Sequence, residues 1–136
     1  MSLEIYNTTR REIPQKKLEA IIGHVIESEG FVLNSVVAVF CGDGLIQRIN
    51  REFLGHDYPT DTITFNYSGG KEIDGEFYVS LDVIKKNAKR FKTAFENELF
   101  RVAIHSALHL TGYEDDADAA RARMKEKEEL YLSQLL

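Results

Sequence analysis

Two histidines four residues apart, in an apolar segment that ends at a glycine, constrain this chain more than any other feature. His105 and His109 lie in the segment IHSALHLTG, among leucines and alanines. On an α-helix, side chains at this spacing leave the same face, so both imidazoles can reach one point. Gly112 is of the residue type that commonly follows a helix, because glycine takes left-handed backbone at no steric cost. The segment therefore predicts a largely buried helix with two histidines near its carboxyl end.

The acidic residues that follow this glycine complete a candidate metal site. Residues 114–116 have the sequence Glu-Asp-Asp, and a turn at the glycine brings one of them back toward the histidines. Two imidazole nitrogens and a carboxylate oxygen, each about 2.0–2.1 Å from the ion, form a common ligand set for catalytic zinc, which keeps a further position for water. We predict that His105, His109 and Asp115 bind one Zn²⁺ ion, and other divalent transition metals remain compatible with these ligands.

The residue after the first histidine separates two classes of metal-dependent hydrolase. Zinc peptidases with the motif H-E-x-x-H place their general-base glutamate at this position. Here the position is Ser106, so the peptidase base is missing. Zinc can assist the hydrolysis of an amide or of a phosphodiester, because it polarises the oxygen under attack and lowers the pKa of a bound water. The motif therefore indicates a metal more strongly than it indicates proteolysis, and a metallopeptidase stays open as the alternative.

The composition limits the class of protein and its location. The chain has 136 residues, 43% of them hydrophobic, a net charge of −5 at pH 7 and one cysteine, Cys41. This length predicts a single domain, residues 1–136. No apolar run reaches the roughly 18–20 residues that span a bilayer, and the first residues contain no apolar signal core. A lone cysteine cannot form an internal disulfide, so we expect a cytoplasmic protein without membrane attachment.

The periodicity of apolar residues predicts an α+β fold. Alternating, β-branched stretches predict four strands, at Leu3–Asn7, Asn34–Cys41, Thr62–Tyr67 and Glu76–Ser80. Apolar residues at helical spacing predict five helices, from Pro14 to about Glu29, after Asp43, and at Val83–Phe91, Ala94–Leu110 and Ala117–Leu136. Thr93, with Glu96 three residues later, predicts a capping box at the start of the histidine helix. We therefore expect one small mixed sheet of about four strands, packed with about five helices.

Two further groups of residues are candidates for contact with a substrate. The loop before the third predicted strand contains His56 and Asp61, an imidazole and a carboxylate that can exchange protons, and we predict catalytic roles for both. The helix predicted after Ser80 carries the densest basic cluster of the chain, Lys85, Lys86, Lys89 and Arg90. Basic side chains contact the phosphates of nucleic acids, so we predict that this cluster binds substrate. A solvated helix face is the simpler alternative.

Three separated segments resemble the YbeY family of bacterial ribosomal RNA maturation factors. In chain order they are INREFLGHDYPTDTITFNY, DGEFYVSLDVI and IHSALHLTGYEDD. The resemblance covers about residues 46–124 and includes most of the family signature H-G-x-L-H-L-x-G-Y-D-H. The third histidine of that signature falls on Asp115, and aspartate can also ligate zinc. Leu54 occupies the position of a family arginine proposed to act on RNA, and His56 replaces a lysine two residues later.

The resemblance implies both a fold and a function. The fold would be metallopeptidase-like, that is, zincin-like. The function would be that of a metal-dependent endoribonuclease that cleaves single-stranded RNA, matures the 3′ end of small-subunit ribosomal RNA, and takes part in late ribosome assembly and quality control. The implied partners are ribosomal RNA and the small ribosomal subunit, with no role on DNA. Because the family arginine is replaced and the net charge is negative, a non-catalytic assembly factor with structural zinc remains a further alternative.

Overall fold

The computed structural model describes residues 2–55 and 60–135, and within these ranges it contains a four-stranded sheet and five α-helices. The strands are β1 (Ser2–Asn7), β2 (Val32–Cys41), β3 (Thr62–Asn66) and β4 (Glu72–Ser80). The helices are α1 (Gln15–Ser28), α2 (Asp43–Ile49), α3 (Leu81–Arg90), α4 (Phe95–Leu110) and α5 (Asp118–Leu135), and a π-helical turn, Asn50–Leu54, extends α2. The predicted α+β class is confirmed.

The sheet is mixed and has the strand order β1-β2-β4-β3. β1, β2 and β4 run parallel, and α1 makes the crossover between β1 and β2. β3 is an antiparallel edge strand that pairs Thr62 with Val79 and Asn66 with Gly75. This edge strand runs beside α4, and it therefore places one border of the sheet next to the predicted metal helix.

The hydrophobic core lies between the sheet and the helices, with α4 at its centre. Phe40 and Phe77 from the sheet, Ile22 from α1 and Leu108 from α4 are all fully buried. On α4 the residues between the two histidines are buried as well, as the apolar segment predicts. Burial of this helix fixes the direction in which its histidines point. Among the described residues, none of the helices combines the length and the apolar character that a transmembrane segment requires.

The predicted capping box at the start of α4 is wrong. The residue before the helix is Ala94, and no side chain caps the first turn. Thr93 instead completes the end of α3, where its N–H donates to the Ala88 carbonyl at 2.9 Å and the Lys92 N–H donates to the Lys89 carbonyl at 3.3 Å. Together with the positive φ of Lys92, 55°, these bonds form a Schellman motif. Competition from the preceding helix therefore removes Thr93 from its predicted role.

The carboxyl end of α4 is fixed as the sequence predicts, with additional support from the sheet edge. Gly112 has a φ of 102°, so the chain turns there in the left-handed region. Asn66 on β3 donates its side-chain N–H to the Leu110 carbonyl at 3.0 Å, which satisfies a carbonyl that the helix leaves unpaired. The strand edge and the end of the histidine helix are therefore joined by a direct hydrogen bond.

Because α4 and β4 pack closely at Gly75, a methyl group added at this position should destabilise the fold. A Cβ there would lie 2.6 Å from Leu110 Cδ2 and 2.7 Å from the Phe65 carbonyl oxygen. Because that oxygen belongs to a paired strand, we expect Gly75→Ala to reduce the free energy of unfolding by about 1–3 kcal/mol. As control, Gly23→Ala adds a methyl with nothing within 4 Å and should raise stability by roughly 0.5–1 kcal/mol. Urea unfolding measures both, and equal midpoints would contradict the packing argument.

Candidate metal centre

Two histidines and one aspartate converge at the end of α4. The Nε2 atoms of His105 and His109 lie 3.0 Å apart. Asp115, in the turn before α5, places Oδ2 3.3 Å from His105 Nε2 and 3.5 Å from His109 Nε2. Arg121 donates to the Asp115 backbone carbonyl at 3.2 Å and so holds this turn against α5. The structure thus brings together the three predicted ligands, which form a group able to hold a metal ion.

Hydrogen bonds on the opposite ring nitrogens determine which histidine atoms are available. His109 Nδ1 lies 2.9 Å from the Tyr113 carbonyl oxygen, which can only accept a proton. His105 Nδ1 lies 2.6 Å from Glu128 Oε2, and an ionised carboxylate also only accepts. Each Nδ1 therefore carries a hydrogen, so in the neutral rings both Nε2 lone pairs face the same point. Two lone pairs at 3.0 Å repel one another unless a cation or a proton lies between them.

The spacing of the three atoms fits a divalent transition metal. In a tetrahedral site with bonds of 2.0–2.1 Å, neighbouring ligand atoms are about 3.3–3.4 Å apart. The observed separations of 3.0, 3.3 and 3.5 Å bracket this value. Three protein ligands also leave a further coordination position for water or substrate, which distinguishes catalytic sites from closed structural ones. The donor set is therefore suitable for zinc and for neighbouring divalent metals.

Glu128 on α5 belongs to the candidate site, although no local pattern in the sequence marks it. Its side chain is buried and accepts from His105, while Arg101 lies 3.6 Å from its other oxygen. Burial of the His105 ring opposes its charged form, but the hydrogen bond and charge of Glu128, with the charges of Asp61 and Asp115, outweigh burial and raise the pKa of His105. A carboxylate–histidine pair of this kind orients a metal-binding ring and increases its basicity.

A second carboxylate, Glu29 at the end of α1, connects the partners of both histidines. Its oxygens accept from the Tyr113 hydroxyl at 2.7 Å, from Lys127 at 3.2 Å and from the Tyr131 hydroxyl. Burial opposes the charged form of Glu29, but these three donors lower its pKa. Tyr113 supplies the carbonyl that binds His109, and Lys127 and Tyr131 belong to the helix that carries Glu128. Glu29 therefore stabilises the positions of both Nδ1 acceptors.

Two clefts meet at the metal centre, and both include Asp61. One, of about 840 Å³, extends along α4 and α5, and the other, of about 510 Å³, lies beside β3. Asp61 Oδ1 accepts from the Thr62 N–H at 2.8 Å, and in the described ranges Oδ2 has no donor. The predicted catalytic residue Asp61 therefore lies in the same cleft as His105. The other, His56, lies outside the described residues.

The predicted basic cluster lies apart from the metal centre. Lys85, Lys86, Lys89 and Arg90 are exposed on α3, and none of them lines either cleft. Lys86 contacts Asp43 at 3.6 Å. Leu54, which stands where the resemblance places an arginine, is 49% exposed and lines the smaller cleft, so an apolar side chain occupies that wall.

Ser106 takes a structural position rather than a catalytic one. It is fully buried, and its hydroxyl donates to the Val102 carbonyl at 2.8 Å. A second contact of 2.8 Å joins it to the Thr62 hydroxyl on β3. The residue that stands where zinc peptidases carry their base therefore connects α4 to the sheet edge and does not reach the clefts.

Comparison with known proteins gives consistent matches over nearly the whole chain. The family model described as Endoribonuclease YbeY matches residues 4–136. The Endoribonuclease YbeY of Chlorobium phaeobacteroides strain BS1 is 75% identical over 135 residues, which cover 99% of this chain and 98% of that protein. That of Chlorobaculum tepidum is 56% identical, with the same coverage of 99% and 98%. The solution structure of TM1509 from Thermotoga maritima aligns with a TM-score of 0.71 and 29% identity, over 98% of this chain and 89% of that one.

The contact between Glu128 and His105 generates a prediction about metal affinity. Glu128→Gln keeps the size of the side chain but removes the charge that orients and polarises the ring. We expect metal to bind about 10- to 100-fold more weakly, as is usual when the partner of a ligand histidine is lost. Competition with a chromogenic chelator measures the affinity. Glu126→Gln, at an exposed position of the same helix, is the matched control. Equal affinities in the two variants would contradict the role of Glu128.

Proposed function

The chain belongs to the endoribonuclease YbeY family and is an enzyme that cleaves RNA, and we propose that it does so at a Zn²⁺ ion held by His105, His109 and Asp115. The observation that carries this proposal is the convergence of two Nε2 lone pairs and one carboxylate oxygen at separations suited to a tetrahedral ion. Three protein ligands would leave one coordination position open, and together with the two adjoining clefts this supports a catalytic rather than a structural role for the metal.

The proposed substrate is a single-stranded segment of ribosomal RNA of the small ribosomal subunit, in the cytoplasm. Three segments of the chain resemble bacterial ribosomal RNA maturation factors, which supports this choice over RNA in general. Clefts of about 840 and 510 Å³ on the two sides of the centre give an extended strand room to pass across the metal ligands. The scissile phosphate would lie between His105 and Asp61, which both line the two clefts.

The histidines and Asp61 have different roles in the proposed reaction. Bound zinc would polarise a phosphoryl oxygen and make an attacking water more acidic. His105 and His109 direct their Nε2 atoms toward the point where the ion would bind, because Glu128 and the Tyr113 carbonyl fix their Nδ1 atoms. Asp61 is the proposed general base, because its Oδ1 is held by the Thr62 N–H while its Oδ2 has no donor within the described ranges and can accept a proton.

A metallopeptidase is the weaker alternative for this site. The position that would carry the peptidase base is Ser106, which is buried and bonded to Val102 and Thr62. The relatives named above are endoribonucleases. Digestion of casein by the metal-loaded protein tests the alternative directly, and we expect none.

Metal content tests whether Asp115 is the third ligand. Protein purified without added metal should contain close to one zinc per chain, whereas Asp115→Ala should lose most of it, because two histidines alone bind far more weakly. Cleavage of a single-stranded RNA should fall in parallel. Elemental analysis measures the metal. Asp116→Ala, one residue away and outside the cluster, is the control. If Asp115→Ala retains its zinc, this aspartate is not a ligand; if wild type binds none, the zinc centre is wrong.

The rate of RNA cleavage tests the role of Asp61 in proton transfer. Asp61→Asn keeps an oxygen for the Thr62 N–H but removes the basic carboxylate, so we expect kcat for RNA cleavage to fall by about 10²- to 10⁴-fold. Zinc content should stay unchanged, because Asp61 is not in the ligand group. Single-turnover cleavage at saturating RNA measures the chemical step. Glu96→Gln, an exposed residue that lines neither cleft, is the control. An unchanged rate in Asp61→Asn would assign the base to another residue.

A further inference from the structure

The larger cleft continues well beyond the metal centre. It reaches from His105 and Asp115 to Phe91, at the end of α3. On α4 the residues that line this cleft run from Asn97 to His105, and over that stretch the helix axis advances by about 12 Å. This distance exceeds the reach of a single phosphate bound at the metal. The far end of the cleft is therefore positioned to contact a neighbouring part of the same RNA strand.

Phe91 is an exposed aromatic ring on a rigid turn. Its side chain is 61% exposed, although large apolar side chains are usually buried. The backbone around it is held by the Schellman motif at the end of α3, and the Phe91 N–H itself donates to the Asn87 carbonyl at 2.9 Å. The guanidinium of Arg90 lies 5.4 Å from the ring centre. A fixed, exposed ring beside a cation is the usual platform on which a nucleic acid base stacks.

Three polar side chains line the cleft together with this ring. Asn87, Thr93 and Asn97 line the same end of the cleft. Within residues 2–55 and 60–135, none of the three side chains has a hydrogen-bond partner. Two amides and a hydroxyl can both donate and accept, which suits them to the edge of an unpaired base. The aromatic face and the polar rim together give this end of the cleft the features of a base-binding pocket.

The charge distribution is compatible with a polyanionic strand. Five carboxylates and three basic side chains line the described part of the cleft, and a divalent cation at the metal centre would offset the difference. Arg90 and Lys92 flank Phe91 in sequence, and Lys89 precedes Arg90. Lys89 and Arg90 of the predicted basic cluster do not line the cleft, but they lie beside Phe91 in sequence and would add positive charge near its far end.

We propose that Phe91 is the stacking platform of a subsite that binds one base of single-stranded RNA away from the cleaved bond. The base edge is recognised by Asn87, Thr93 and Asn97. This inference rests on the proposed function, because it assumes that RNA crosses the metal centre. It adds a substrate contact that lies outside the chemical centre.

The absence of tryptophan from this sequence makes the subsite directly measurable. Phe91→Trp introduces the sole tryptophan of the chain. Titration of the zinc-loaded variant with a single-stranded 2′-O-methyl oligonucleotide should quench its fluorescence, because a stacked base quenches indole. Tyr6→Trp is the control, since Tyr6 is 51% exposed but lines neither cleft. Unchanged emission at position 91, under conditions where the oligonucleotide binds, would overturn the subsite.

Kinetics separate a binding role from a structural one. Phe91→Ala should raise KM for RNA about 5- to 100-fold with little change in kcat. Phe91→Tyr should have a KM close to that of the wild type. A substrate with an abasic nucleotide at the subsite position should show a similar increase of KM with wild-type protein, and no further increase of KM with Phe91→Ala. If wild type cleaves RNA and KM is unaffected by Phe91→Ala, the subsite is wrong and the function stands. If wild type cleaves no RNA, the proposed function fails, and the fluorescence titration alone decides whether a base binds.

Discussion

The hydrogen bonds on the Nδ1 atoms of His105 and His109 are the interactions on which the candidate centre depends. They select the tautomer, set the angle of each ring, and leave both Nε2 lone pairs facing one point. The acceptors come from different parts of the chain, Glu128 from α5 and a carbonyl from the turn after α4. Glu29 at the end of α1 contacts both of these parts. The candidate ligands are thus held by three elements, although two of them belong to one helix.

The edge of the sheet supplies the second constraint. β3 is joined to α4 by the Thr62–Ser106 contact and by the bond from Asn66 to the Leu110 carbonyl. These contacts keep Asp61, which immediately precedes β3, beside the histidines. Ser106 is instructive, because the same helix position is catalytic in zinc peptidases. In this chain the Ser106 side chain lies in the interface between α4 and the sheet, where it contacts the Thr62 hydroxyl and donates to the Val102 carbonyl.

Electrostatics explain how an acidic protein can bind RNA. Carboxylates concentrate around the metal centre, where burial raises the pKa of Glu98 and Arg101 lies 3.8 Å from that side chain. Arg101 also forms ion pairs with Glu128 and Glu129, so its positive charge is largely neutralised by these carboxylates. A bound divalent cation would compensate the remaining carboxylates and attract the phosphate. The net charge of the chain, −5, therefore matters less than the charge of the loaded cleft.

The sequence by itself determined the features that repeat over a few residues. Helical spacing located His105 and His109, the glycine located the end of α4, and the alternation of apolar residues located the strands. Tertiary structure decided everything that depends on distant segments. Glu128 lies 23 residues from His105, and Glu29 lies 84 residues from Tyr113, so no local pattern marks them. Thr93 shows the reverse effect, because the preceding helix overrides its local capping signal. Short-range periodicity reports which side of an element is buried, whereas only packing shows which buried sides meet.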